Sequence, residues 1–271
     1  MGCIVVKLGG DVLADGVRTV VAEDIARAVA EHPQHRFGLV HGGGPQVTAL
    51  ARRLGVDTQT VAGRRVTDAG TLEVLTMVVA GQLNVQLCAA LLRAGARPVG
   101  LHAGSGAVRA GKRPPRVISG GPPGPVDLGL VGDVVGFDLA LLETLWGDGR
   151  LPVLSCLGYA SAGEAPVLNL NADLVASRLA EALAAPTFVA VSGVGGLRKD
   201  ASDPASRLSH LTVAEAQAAI ASGSVTGGMI PKLEEAFVPL GAGVGAFHIV
   251  GPGEVRAALG SPGSVGTLLS P

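Results

Sequence analysis

Lys7 closes the apolar run Cys3-Ile4-Val5-Val6 and leads directly into Leu8-Gly9-Gly10. Further on, the run Phe37-Gly38-Leu39-Val40 ends in His41-Gly42-Gly43-Gly44-Pro45. Each glycine cluster follows a β-type run and precedes a helix-like segment. Glycine at such a junction lets the backbone approach a ligand closely. The helix N-terminus beyond it offers unpaired N–H groups and partial positive charge to phosphate or carboxylate. Two such turns suit two anions, and Lys7 stands at the C-terminal end of its strand, where open α/β sheets place their ligands. The structural alternatives are ordinary strand-to-helix connectors and, for Lys7, a solvated strand end.

The second half carries its own signals. In Asn169-Leu170-Asn171-Ala172-Asp173, polar groups two apart lead into a helix and can converge on one side of the turn. Helix capping explains Asn171 but needs only one acceptor, whereas Asp173 adds a carboxylate to the first turn. Thr226-Gly227-Gly228-Met229-Ile230-Pro231-Lys232 is another glycine turn entering a helix, with a lysine one turn in. A lysine is mildly disfavoured there by the helix dipole, which points to an anion facing it. The order of residues differs from a Walker A loop. Ser192-Gly193-Val194-Gly195-Gly196-Leu197 places a flexible loop after the strand Thr187 to Val191.

Strand-like and helix-like segments that position these residues alternate along the chain. Strands are expected at Cys3–Leu8, Phe37–Val40, Ala96–Leu101, Pro152–Ser155, Thr187–Val191 and Ala246–Val250. Helices are expected at Val17–Glu31, Pro45–Leu54, Ala69–Ala94, Leu139–Trp146, Ala172–Leu183, Val213–Ser222 and Gly228–Leu240, with a short closing helix. Thr67 or Asp68 is placed to cap the long helix. Between His102 and Val135, Gly, Pro and short Val/Ile runs predict hairpins or small strands. The consistent architecture is α/β, a three-layer αβα sandwich with a mainly parallel central sheet.

Composition narrows the class. The 271 residues are 48% hydrophobic but only 3% aromatic, so the core rests on Val, Leu, Ile and Ala, the usual filling of a covered parallel sheet. A formal net charge of −1 and the lack of a Lys/Arg block give no electrostatic footprint for nucleic acid. No uninterrupted apolar run approaches the ~20 residues that span a bilayer, and the chain enters its first strand without a leader, so a cytoplasmic location is expected. Cys3, Cys88 and Cys156 lie apart in apolar surroundings and read as buried free thiols, not as a metal site.

Together, Lys7 to Gly10, His41 to Pro45, Gly63-Arg64-Arg65-Val66-Thr67-Asp68, Asn169 to Asp173 and Gly227 to Lys232 resemble the amino-acid kinases, and within them the acetylglutamate kinases of arginine biosynthesis. The resemblance runs nearly end to end. It implies one amino-acid kinase domain over 1–271, with an acceptor-binding and dimerising lobe at 1–168 and an ATP-binding lobe at 169–271. The implied reaction is attack of the γ-carboxylate of N-acetyl-L-glutamate on the γ-phosphate of ATP, giving an acyl phosphate and ADP. The nucleophile is already an anion, so the demand is for positioning and charge neutralisation.

Carried onto this chain, the resemblance gives catalytic roles to Lys7 and Lys232, oriented by Asp173. Gly43, Gly44, Arg65 and Asn169 would bind the acceptor, Arg65 as a bidentate clamp on its α-carboxylate. Gly9, Gly10, Ser192, Gly193, Gly195, Leu197, Gly227, Gly228 and Met229 would line the nucleotide. Mg2+ is expected to arrive with ATP, with no dedicated metal ligands. The sequence departs from the family pattern at Leu101 to Gly106, at Val85 after Asn84, and at Gly193, where an aspartate is common. Because it begins at the first strand, it looks like the dimeric, arginine-insensitive type, with Ala69 to Ala94 as dimer element. The competing readings are a kinase for carrier-protein-bound aminoadipate or glutamate in lysine biosynthesis, and a non-catalytic metabolite sensor with this fold.

Overall fold

The structure is a computed structural model of residues 1–271, described here except for Met1, Glu164, Ala201, Ser202, Ser224, Thr226, Gly227 and Gly228, and for the side chains of Pro204, Met229 and Pro231. Its main sheet contains β1 (Cys3–Leu8), β2 (Arg36–His41), β3 (Pro98–Leu101), β4 (Leu151–Ser155), β5 (Thr187–Val191), β6 (His210–Thr212), β7 (Ala246–Val250) and β8 (Thr267–Ser270). The spatial order is β6-β8-β7-β5-β1-β2-β4-β3. From β7 to β3 all neighbours are parallel, while β8 pairs antiparallel with β7 and carries β6 on its outer edge.

The period of two along a strand decides what β1 presents to each layer. Ile4, Val6 and Leu8 enter one core cluster, shared with α1 (Val17–Glu31), while Val5 enters the other, shared with α5 (Ala172–Ala182). Lys7 has the parity of Val5 and therefore points to the α5 side. It alone in β1 is not fully buried.

The other helices are α2 (Gly44–Leu54), α3 (Ala69–Arg93), α4 (Leu139–Gly147), α6 (Val213–Ala221), α7 (Met229–Gly241) and α8 (Val255–Gly260). Asp68, one of the two expected caps, accepts from Thr71 N at 2.7 Å at the start of α3. The long helix is present but is not uniformly α: Met77–Leu83 winds as a π-helix, an irregularity that occurs mostly as short insertions in α-helices and often at functional sites. By length and composition α3 is apolar enough to cross a membrane, which amends the expectation that no segment approaches that length. Its Val74, Val78, Leu83, Leu87 and Leu91 are packed into the core.

The hairpin region after β3 forms a second sheet, ordered Val167–Asn169, Leu157–Tyr159, Val108–Lys112, Gly132–Phe137, with a small hairpin of Arg116–Val117 on Pro125–Val126 beside it. The strand at 157–159, the edge strand β6 and its neighbour β8 lie outside the expected set, whereas Val167–Asn169 is a strand leading into the Asn169–Asp173 block, as a strand-like reading of that segment allows. Each spans only three or four residues, too short to display a period of two.

Candidate active site

The two glycine turns abut. A Cβ on Gly10 would lie 2.7 Å from Pro45 Cδ and 3.2 Å from Gly44 N. Gln46 Nε2 donates to Gly10 O at 2.6 Å and locks the first turn onto α2. Gly43 is pressed against the π-helical turn, where an added Cβ would meet Leu83 Cδ1 at 2.4 Å. Behind the second turn, His41 is fully buried between Gly42 O and Asn84 Nδ2, each 3.0 Å from a ring nitrogen. Because the amide nitrogen can only donate, Nε2 accepts, and Nδ1 carries the proton that bonds Gly42 O. Burial lowers the His41 pKa to about 4, so the ring stays neutral.

A cleft of about 700 Å³ opens over these turns. At its floor Lys7 forms an ion pair with Asp173, in the first turn of α5. Burial opposes the charge on Lys7, but attraction and a hydrogen bond from Asp173, with smaller help from Glu235 and Asp11, raise its pKa above the ordinary lysine value. Lys232 on α7 donates to Ser192 Oγ at 3.1 Å. Burial lowers its pKa; Asp11 and Glu235 oppose that shift and Lys7 reinforces it. Glu235, one turn beyond Lys232, has its pKa raised by burial and by Asp173, against the pull of the two lysines. Lys7 pairs with Asp173 in the cleft, while Lys232 lies beyond the cleft lining, held by Ser192 and within electrostatic reach of Lys7, Asp11 and Glu235 in a partly dry setting. Such an arrangement neutralises an incoming phosphate.

Arg65 reaches the cleft through a two-residue hairpin, Thr60–Val61 paired with Arg64–Arg65. Its turn residues Ala62 and Gly63 both have positive φ, as a type I′ turn requires, although Ala62 carries a Cβ there. Arg65 Nη2 donates to Thr48 Oγ1 at 2.7 Å and Gly44 O at 3.2 Å, while Nη1 is buried without a partner. Burial lowers the pKa of this guanidinium, and among the described residues no carboxylate pairs with it. An anion that supplies two oxygens would complete it.

The Asn169–Asp173 block divides its work. Asn169 Nδ2 donates to buried Thr67 Oγ1 at 2.9 Å, Asn171 caps α5 by accepting from Leu174 N at 3.0 Å, and Asp173 faces Lys7. All three line the cleft. So do Arg64, Arg113 and Arg116, although Arg113 is already held by Asp133 at 2.6 Å.

The loop after β5 is placed differently from the cleft floor. Gly9 N is engaged with Val191 O at 3.1 Å, so Gly9 contributes space rather than a donor. Leu197 is fully buried and its N–H donates to Thr267 Oγ1 at 2.8 Å; it braces the loop from within and offers nothing to a nucleotide. Gly195 turns with φ +63° and packs on Gly251. Gly193 N donates to Asp11 Oδ2 at 2.7 Å. Gly227 and Gly228 lie outside the described residues, and Met229 is described only as the first residue of α7. Asp11 and Glu235 escaped the sequence reading. The i,i+3 spacing of Lys232 and Glu235 on one helix face was the available signal for the second. Among the described residues no three His, Cys, Asp or Glu side chains are grouped to hold a metal ion.

Comparison with known proteins agrees with this geometry. A model of the amino acid kinase family matches residues 2–251. An acetylglutamate kinase of Sorangium cellulosum is 53% identical, covering 100% of this chain and 95% of that one. The acetylglutamate kinase of Anaeromyxobacter dehalogenans strain 2CP-C is 52% identical, covering 99% and 100%. Among solved structures, smu.665 from Streptococcus mutans UA159 superposes with a TM-score of 0.74 at 26% identity over 99% of this chain and 98% of that one. Giardia carbamate kinase shares the fold, with a TM-score of 0.70 at 17% identity over 99% and 98%. The match along nearly the whole chain, to proteins of the same length, shows that this chain belongs to the amino acid kinase family.

Proposed function

We propose that the chain phosphorylates the γ-carboxylate of N-acetyl-L-glutamate with ATP, forming N-acetyl-L-glutamyl 5-phosphate and ADP in arginine biosynthesis. The observation that carries this reading is the buried, unpartnered Nη1 of Arg65 in the same cleft as the Lys7–Asp173 pair. It provides a seat for a carboxylate beside a lysine held charged for phosphate. The names of the most similar relatives agree with it.

In this mechanism Arg65 clamps the α-carboxylate and Asn169 takes the acetylamino group, while Gly43 and Gly44 present backbone N–H groups to the acceptor. One γ-carboxylate oxygen forms a bond to the γ-phosphorus as the bond from that phosphorus to the β,γ-bridging oxygen breaks. The electron pair leaves with ADP, and no proton need move. Lys7 and Lys232 neutralise the charge on the transferring phosphoryl group, and Asp173 keeps Lys7 aimed. Gly10 and the loop from Ser192 to Gly195 lie against the nucleotide. Mg2+ enters as part of the ATP substrate and screens its phosphates. The 1–168 part supplies most of the acceptor side and 169–271 most of the nucleotide side, with Asn169 and Gly10 reaching across the boundary.

Arg113 is already bound to Asp133, which leaves Arg64 and Arg116 as the basic residues at the mouth and favours a small free acceptor over an acidic carrier protein. The retained Lys7–Asp173 pair favours turnover over a sensor. We further propose a homodimer through α3, whose Met77, Val85 and Leu92 are exposed, in the cytoplasm, where three free thiols and ATP are at home.

The test is acceptor-dependent ADP release from MgATP with N-acetyl-L-glutamate, free glutamate, N-acetyl-aminoadipate or no acceptor. Turnover selective for N-acetyl-L-glutamate supports the reading. Equal silence with every small acceptor, in protein that binds ATP, refutes it.

A further inference from the structure

Asp11 opens the short 3-10 turn Asp11–Leu13 directly after the first glycine turn. Its carboxylate crosses to the loop after β5, where Oδ2 accepts from Gly193 N at 2.7 Å, from a residue 182 positions away in the chain. Around it stand two glycines whose backbone does not call for glycine, since neither Gly9 nor Gly193 has positive φ. Space does call for it. A Cβ on Gly9 would lie 2.3 Å from Asp11 Oδ1, and a Cβ on Gly193 would lie 2.9 Å from Oδ2. The chain is thus cleared on both sides of one carboxylate. The residue preceding Gly193 is Ser192, whose Oγ holds Lys232 Nζ at 3.1 Å.

We infer that Asp11 is a positioning residue of the phosphoryl-transfer site, a carboxylate strut that ties the Lys7–Gly10 turn to the Ser192–Gly193 loop and through that loop fixes Lys232. Its negative charge also opposes the loss of charge that burial imposes on Lys232. A hydrogen bond to a charged acceptor between loops contributed by distant parts of the chain holds the two sides of the nucleotide site at a set separation. Because a side chain at 193 would project into the volume that the Asp11 carboxylate fills, the same charge can be delivered from either loop.

This inference rests on the kinase reading, and the experiment separates the two. Asp11→Ala, Gly193→Asp and the double variant Asp11→Ala/Gly193→Asp are compared with the unmodified chain for MgATP affinity by calorimetry without acceptor, and for KM and kcat with N-acetyl-L-glutamate. Asp11→Ala is expected to weaken MgATP binding and raise its KM about tenfold, with kcat reduced and the acceptor KM within about twofold of the original. Gly193→Asp alone is expected to be impaired, since two carboxylates then compete for one space. The double variant is expected to recover most of the loss, because its carboxylate again bridges the loops. MgATP affinity unchanged in Asp11→Ala, or a double variant no better than the poorer single one, would overturn the inference. Failure of the unmodified chain to turn over N-acetyl-L-glutamate would instead refute the kinase reading, and the calorimetry would still decide the role of Asp11.

Discussion

Replacing Asp173 with asparagine keeps the shape of the side chain and removes its charge from the ion pair with Lys7. The pair is largely shielded, its side chains 15% and 31% exposed for Lys7 and Asp173. At an effective dielectric constant near 20, two unit charges about 4 Å apart attract by about 4 kcal/mol. Breaking one partner of such a pair strands the other in a poorly solvated place, at a cost to stability of about 3 kcal/mol. At about 2 °C per kcal/mol for a chain of this size, Tm should fall by about 6 °C. The effect on catalysis follows from the sign of each influence on Lys7. Burial depresses its pKa, and Asp173, with smaller help from Glu235 and Asp11, more than offsets this; without the carboxylate the strongest influence opposing burial is lost and the pKa falls. The asparagine amide can still accept from the ammonium, so Lys7 remains aimed while its charge becomes labile. Loss of one fixed charge at the transferring phosphoryl group should reduce kcat by about 10²–10³-fold near neutral pH. The alkaline limb of the rate profile should also move to lower pH. The assay is hydroxamate formation from N-acetyl-L-glutamate and MgATP across a pH series, with thermal unfolding in parallel. An unchanged alkaline limb, with kcat within about threefold of the original, would refute the assigned role of Asp173.

Arg65→Ala should raise the acceptor KM about 10- to 100-fold with a smaller effect on the KM for ATP, as expected when a charged, two-pronged hydrogen bond is lost; steady-state kinetics with unchanged acceptor KM would move the clamp elsewhere. Gly43→Ala should cost about 1–3 kcal/mol in chemical denaturation and displace the glycine turn, because the new methyl group meets buried Leu83 and Val79; a fully stable, fully active variant would show that the π-helical turn does not constrain the site. Folding stability should fall as pH drops below 6.5, since the unfolded chain then protonates His41 and His248 whereas the folded chain resists until about 4. Each histidine should remove about 2 kcal/mol by pH 5, and urea titrations at pH 7.5 and 5 that give equal stability would contradict their burial as neutral rings.

Local patterns made much of this architecture legible. The helix Val17–Glu31 and the strands Thr187–Val191 and Ala246–Val250 appear with the bounds read from the sequence, because each is long enough to display its period between clear turn signals. The edge pair β6 and β8 has no such display: each is three or four residues, and each depends on hydrogen bonds to a partner strand distant in sequence. The π-helical turn in α3 cannot be read from the apolar pattern, because Met77-Val78-Val79-Ala80 is apolar at every position and so hides the rotation of the face that follows. At the site, Lys7, Lys232 and Asp173 could be named because each stands at the end of a strand or the start of a helix. Asp11 could not, since its significance comes from Gly193, a residue that the fold alone brings near. Leu197 shows the converse, a residue inside a glycine-rich loop whose side chain and N–H both serve the core.

The central claim is that this cleft makes an acyl phosphate, and phosphorus NMR of the reaction with N-acetyl-L-glutamate and MgATP tests it most directly. The account predicts an acyl-phosphate resonance growing in step with ADP, lost on addition of hydroxylamine as the hydroxamate forms. Release of ADP with inorganic phosphate alone, at a rate indifferent to N-acetyl-L-glutamate, would contradict it.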